Sequence, residues 1–142
     1  MILLDTNVVS ELSRPDPDPG VLAWLDALNA DEVGTTAITA AELWHGVTRL
    51  PAGRRRAELT EAVRSLLEED FEQRIAPFDA TAARVYGAVV TDRERAGRPI
   101  GVADAQIAAV CQVAGATLAT RNTKDFEGTG VALVDPWAAD PA

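Results

Sequence analysis

The sequence has only one cysteine, Cys111, and one histidine, His45, which excludes an internal disulfide and a tetrahedral Cys/His zinc site. Carboxylates and hydroxyls are left to carry any chemistry. No apolar run approaches the roughly 18 residues of a membrane span, and the opening MILLDTN meets a carboxylate at its fifth residue. A soluble, cytoplasmic protein with neither membrane span nor signal peptide is the expectation. Glycine-rich phosphate loops are missing too, since no glycine precedes a lysine and no GxGxxG occurs. Cations are scarce: 13 against 22 acids, net −9, so the chain as a whole repels nucleic acid. Lys124 is the sole lysine, and the densest basic stretch is Arg49 followed by Arg54, Arg55 and Arg56. That run reads either as a phosphate contact or as a solvated helix start.

What is present is ordinary globular material, 47% hydrophobic and 25% charged in 142 residues, the size of a single domain spanning 1–142. Short apolar strands alternate with amphipathic helices. Strands are expected at Ile2–Leu4, Val33–Thr36, Arg74–Phe78, Thr117–Thr120 and Val131–Val134. After the first, Thr6 and Asn7 read as a turn. Asp18 and Pro19 open a helix carrying Val21, Leu22, Leu25 and Leu28, and Thr39 opens one carrying Leu43 and Val47. Beyond Pro51 and Gly53, Leu59, Val63, Leu66, Leu67 and Phe71 stripe a long half-exposed helix. Asp79 caps another that runs to Gly97, and a last one, with Ile107, Val110 and Cys111, ends at Gly115. Strands separated by helices imply parallel crossovers and a sheet covered on both faces, with ligands at the carboxyl ends of the strands.

Asp5 ends the first strand, and Thr120 with Asn122 follows another in the same way, so these ends share one crevice. Asp104 precedes Ile107, Ala108 and Cys111 by three, four and seven, which places a carboxylate on the apolar face of a helix, in its first turn. Favourable interaction with the helix dipole explains its position but not its facing. Glu42 stands three residues after Thr39, which reads as a capping box, yet its helix begins just past a strand and can bring it to the same crevice. Asp125, in TRNTKDF, reads as a polar-loop residue beside a core Phe126. Clustered carboxylates repel by about 1 kcal/mol at 4 Å in water and about 4 at an effective dielectric of 20. A divalent cation with hard oxygen ligands, magnesium or manganese, relieves that repulsion and suits metal-assisted phosphodiester cleavage.

Taken in order, MILLDTNVVSEL, AAEL within TAITAAELWHG, GVADAQIAA and TLATRNTKDF resemble the PIN domain, and more narrowly the VapC-type toxins of bacterial toxin–antitoxin pairs. The resemblance covers nearly the whole chain. It implies a three-layer α/β/α fold with a central, mainly parallel sheet. It also implies a magnesium- or manganese-dependent endoribonuclease that cleaves cellular RNA through a metal-activated water. The partners implied are a cognate antitoxin that holds the enzyme inactive and a second copy in a homodimer, within a larger assembly. Asp5, Glu42 and Asp104 match the family's acids and become catalytic metal ligands; Thr6 or Asn7 and Thr120 match its supporting polar positions. Where many members carry a fourth acid, this chain has Asn122, and the nearest acid is Asp125, which joins the catalytic set. Arg49, Arg54, Arg55 and Arg56 are the candidate RNA contacts. His45, one turn beyond Glu42, reads as a surface residue, and Trp24, Trp44 and Trp137 as core or interface residues.

Two other resemblances start from Asp5. In haloacid-dehalogenase-type phosphatases a strand-end Asp is the nucleophile and a second Asp two residues later the acid, a place that Asn7 takes here. A receiver-type phospho-acceptor domain would need an acid paired with Asp5, and none stands beside it in the sequence.

Overall fold

The structure, a computed structural model, describes residues 1–138; the last four residues lie outside the described part. Five strands form one sheet: β1 (Ile2–Leu4), β2 (Val33–Thr36), β3 (Ile75–Ala76), β4 (Thr117–Ala119) and β5 (Ala132–Val134). Their order is β3-β2-β1-β4-β5 and every pairing is parallel, as the alternation of strands and helices requires. Leu3 lies between Gly34 and Leu118, and Leu4 between Thr35 and Ala119. Because successive side chains point to opposite faces, this register creates two cores. Leu3 and Leu118 pack with Ala82 and Val89 of α5 (Ala80–Arg95) and with Ile107, Val110 and Cys111 of α6 (Val102–Ala114). Leu4 and Ala119 pack on the other face with Val8 and Val9 of α1 (Thr6–Leu12), Phe71, and the half-buried Trp24 and Leu25 of α2 (Pro19–Asp26). The result is helix, sheet, helix in three layers. Each fully buried Leu, Ile or Phe contributes about 1.5–3 kcal/mol of transfer free energy to it.

Several termini follow the expected chemistry. Asp18 accepts from the backbone N–H groups of Gly20 and Val21 and caps α2, and Asp79 accepts from Ala82 at α5. Gly115 closes α6 at φ 63°, a left-handed conformation that glycine takes without strain. The long half-exposed stretch is α4 (Arg54–Ser65) running on into a π-helical turn, Leu66–Asp70. Glycine is required at Gly34, where a Cβ would collide with the Arg74 carbonyl that accepts from Thr35 N.

Several expectations are corrected. Thr6 and Asn7 are not a turn but the first residues of α1, which starts with no intervening loop because Asp5 is itself the cap, its Oδ1 accepting from Thr6 N at 2.8 Å. The helix expected to open at Thr39 is α3 (Ala37–Thr48), capped by Thr36, whose hydroxyl accepts from Thr39 N at 3.1 Å. No capping box therefore involves Glu42. The TRNTKDF segment is not a loop: Thr123–Phe126 forms the one-turn helix α7, with Phe126 buried. The strand expected over Arg74–Phe78 shrinks to Ile75–Ala76, since Pro77 has no N–H to continue a ladder. The strands expected to run to Thr120 and to start at Val131 are each one residue shorter at those ends. Among the described residues no helix is long and apolar enough to cross a membrane.

The chain leaves β1 toward β2 and β3, then returns to add β4 and β5 on the opposite side. The topological switch lies between β1 and β4. Beyond the strand ends at such a point is where doubly wound sheets bind ligands.

Candidate active site

Asp5 follows β1 and Thr120 follows β4, so the parallel register sets them side by side at the switch point. Thr120 Oγ1 donates to Asp5 Oδ2 at 2.8 Å and accepts from Asn122 N at 3.1 Å and Asn7 Nδ2 at 3.3 Å. The Asn7 amide is held at its other end by Arg121 N, which donates to Oδ1 at 3.1 Å, and Nδ2 also reaches Asp5 Oδ2 at 3.3 Å. Both oxygens of Asp5 are thus engaged in a site only 6% exposed. Burial pushes its carboxyl above the usual range, against the pull of the hydrogen bonds from Thr120, Thr6 and Asn7, and the charge of Asp125 adds to the rise.

Glu42 comes from the second turn of α3. Freed from any cap, its Oε1 accepts from Thr6 Oγ1 at 3.0 Å, which joins α3 to α1; Thr6 Oγ1 also lies 3.4 Å from the buried Thr39 Oγ1. Asp104 stands half-buried in the first turn of α6, beside Ala105 and Ala108, which are fully buried. Its pKa is pushed up to about 6, by desolvation first and then by the charges of Asp5, Asp125 and Glu42, while Arg93 pulls the other way. All four acids therefore share one electrostatic field. Among the described residues, no three acid, histidine or cysteine side chains stand close enough to enclose an ion by themselves. An all-oxygen, acid-rich set of this kind fits magnesium, which keeps several waters and takes only one or two carboxylates directly.

Sequence reasoning missed the residue that anchors the fourth acid. Arg93 is 6% exposed and donates through Nε to the Arg98 carbonyl at 2.6 Å and through one terminal nitrogen to the Asp125 and Glu127 carbonyls, both at 2.9 Å. It clamps α7 against α5. The signal was present: Ala82, Val85, Tyr86 and Val89 recur at helical spacing, and Arg93 is the next position on that apolar face. Glu11 was missed in the same way. It is 6% exposed on α1, three residues beyond the buried Val8, with Arg14 at 3.3 Å from both its oxygens. Asn122 precedes α7 without a side-chain capping bond.

The arginine run divides. Arg49 and Arg55 line a groove of about 690 Å³ together with Thr6 and Glu42, so these two share a cavity with one of the four acids. Arg54 pairs instead with Glu58 at 2.9 Å on the exposed face of α4. Arg56 is half-buried and His45 exposed. Trp24 and Trp137 pack against the second core, and Trp44 is half-buried. Cys111, buried beneath the site, has its thiol pushed up to about 12 by desolvation and the nearby Asp5, so it is no nucleophile.

The sequence pattern of the PIN domain matches residues 2–131. The chain is 40% identical over 137 residues to the VapC ribonuclease Y4jK of Sinorhizobium fredii, covering 96% of this chain and 98% of that protein. It is 42% identical over 137 residues to the toxin FitB of Neisseria gonorrhoeae, covering 96% and 99%. A solved structure of FitAB bound to a DNA fragment contains a chain that superposes with a TM-score of 0.93 at 40% identity, over 99% of this chain and 98% of that one. With the acids at its switch point and these likenesses over almost its full length, the chain belongs to the PIN domain family.

Proposed function

We propose that the chain is a magnesium- or manganese-dependent endoribonuclease and the toxin of a toxin–antitoxin pair. One observation carries the nuclease reading: at the switch point the half-buried Asp104 feels the charges of Asp5, Asp125 and Glu42, which hold its carboxyl up to about 6, a repulsion that a divalent cation would relieve. Asp5, Asp104 and Glu42 would hold the ion, and Asp125 would add negative charge from α7. A bound divalent ion supplies Lewis-acid polarisation of the scissile phosphate and a water of lowered pKa. The chain's own part is positional. Thr120 and Asn7 fix the Asp5 carboxylate, Thr6 aims Glu42, and Arg93 braces the turn that carries Asp125.

The pairing with an antitoxin is supported by the likeness to the toxin FitB and to the FitAB complex on DNA. A homodimer, a larger assembly with the antitoxin and a cytoplasmic site of action belong to the same reading. A phosphatase role, with Asp5 as nucleophile, would call for an acid two residues on, where this chain has Asn7, an amide that donates to Asp5 Oδ2.

Purified protein should cleave RNA with manganese and stop with EDTA, while Asp5→Asn and Asp104→Asn remain folded and inactive. Its melting temperature should rise with manganese concentration in the wild type and much less in Asp104→Asn. Cleavage that survives EDTA and both substitutions would sink the proposal.

A further inference from the structure

Beyond the acids, one cation follows the strand end that carries Thr120 and has no part in the proposed metal site. Arg121 directly follows Thr120, and its backbone N–H holds the Asn7 amide that touches Asp5. Its guanidinium lies over the Trp137 ring, 4.8 Å from the centroid. Trp137 reaches that point because β5 pairs with β4 up to Val134, whose carbonyl accepts from Thr120 N at 2.9 Å, and the chain turns at Asp135, whose Oδ1 accepts from Trp137 N at 2.9 Å. The indole is half-buried against the second core, so it is a fixed plate rather than a mobile cover. Arg121 itself is exposed, and among the described residues no carboxylate pairs with it.

We infer that the Arg121–Trp137 pair is a phosphate-binding subsite that grips the RNA backbone next to the scissile position; this rests on the ribonuclease reading. A guanidinium held over an indole face keeps outward N–H donors free for bidentate contact with a phosphodiester. The location favours RNA over an acidic partner protein. Arg49 and Arg55 line the groove that also holds Glu42, beyond β2, and Arg121 follows Thr120 beyond β4, so cations are placed on either side of β1 in the sheet order. In a chain of net charge −9, a polyanion crossing a cluster of carboxylates needs such contacts on either side. Trp137 acts as a positioning residue through Arg121.

The test measures binding of a labelled single-stranded RNA of mixed sequence to full-length Asp104→Asn protein across a salt series. Adding Arg121→Ala should lower the salt slope of log K by about 0.7, the loss of one phosphate contact to a single strand. Arg121→Lys keeps the slope but weakens binding, because the charge survives without the planar fork. Trp137→Leu should weaken binding with Arg121 present and add nothing when Arg121 is already Ala, a coupling that a purely structural tryptophan would not produce. In the wild-type background, Arg121→Ala should leave the manganese-induced rise in melting temperature unchanged. An unchanged slope in Arg121→Ala overturns the inference while the ribonuclease reading stands. So does an unchanged slope with loss of antitoxin binding, which would reassign the pair to a protein interface. RNA binding by none of the proteins removes the reading and the inference together.

Discussion

Thr120 Oγ1 and Asp5 Oδ2 meet at 2.8 Å across the junction of β4 and β1, and this bond opposes the burial that raises the Asp5 carboxyl. Thr120→Val removes it and leaves Asn122 N and Asn7 Nδ2 without their shared acceptor. Depriving the buried Asp5 carboxylate of its closest side-chain donor should cost about 1–3 kcal/mol in urea denaturation. The Asp5 pKa should climb further, so the acid limb of the cleavage profile shifts to higher pH. A profile superposable on wild type would show that Thr120 is only packing.

Asp104 governs how the metal-free protein responds to pH. Unfolded, it ionises near 3.8; folded, it holds its proton up to about 6. Between those values the folded state binds more protons, so this group's contribution to stability is largest below the lower value and is lost as pH rises toward the upper one. Metal-free protein should therefore lose melting temperature across that window on account of Asp104, and Asp104→Asn should flatten that part of the curve. Manganese should restore stability above about pH 6, where the carboxylate is free to bind it. Melting curves at stepped pH, with and without manganese, check both signs.

Capping and catalysis separate on α3. Thr36→Ala deletes the hydroxyl that accepts from Thr39 N and should destabilise the fold by about 1 kcal/mol. Glu42→Gln touches no cap, so it should melt near wild type while abolishing RNA cleavage. Equal cleavage rates in wild type and Glu42→Gln would withdraw Glu42 from the metal set.

Arg93 should affect stability and the site together. Arg93→Met strips the donors from the Arg98, Asp125 and Glu127 carbonyls and should cost at least about 2 kcal/mol. It also removes the one nearby charge that lowers the Asp104 pKa, so the window described for Asp104 should extend upward. Asp125→Asn leaves the clamp intact, because Arg93 holds its backbone carbonyl, and should slow single-turnover cleavage without loss of melting temperature. Asn122→Asp should tighten manganese binding measured by calorimetry, since it adds an anionic oxygen beside Thr120.

Much of this was readable in order along the chain. Apolar triplets between amphipathic helices specify a parallel, doubly covered sheet, because hydrophobic periodicity and the handedness of crossovers leave few alternatives. Asp5 and Thr120 could be assigned to strand ends from local pattern alone, and Asp104 to the first turn of a helix by its spacing to Ile107, Ala108 and Cys111. These depend on residues within a few positions of one another. Local signals also misled: Thr6 and Asn7 look like a turn and Thr39 with Glu42 like a capping box, because both patterns are satisfied by nearby backbone whenever nothing more distant competes.

Only the tertiary structure decided what competed. Pairing β1 between β2 and β4 leaves no loop between each of β1 and β2 and its following helix, so Asp5 and Thr36 become caps and Glu42 turns to Thr6, a residue 36 positions away. The same pairing seats Arg93 under the carbonyls of Asp125 and Glu127, more than 30 residues downstream, and Arg121 over Trp137. Neither partner in these pairs carries a mark of the other in the sequence. A hydrogen bond or stacking contact depends on distance in space, and for residues this far apart in the chain that distance exists only after the sheet register has set it.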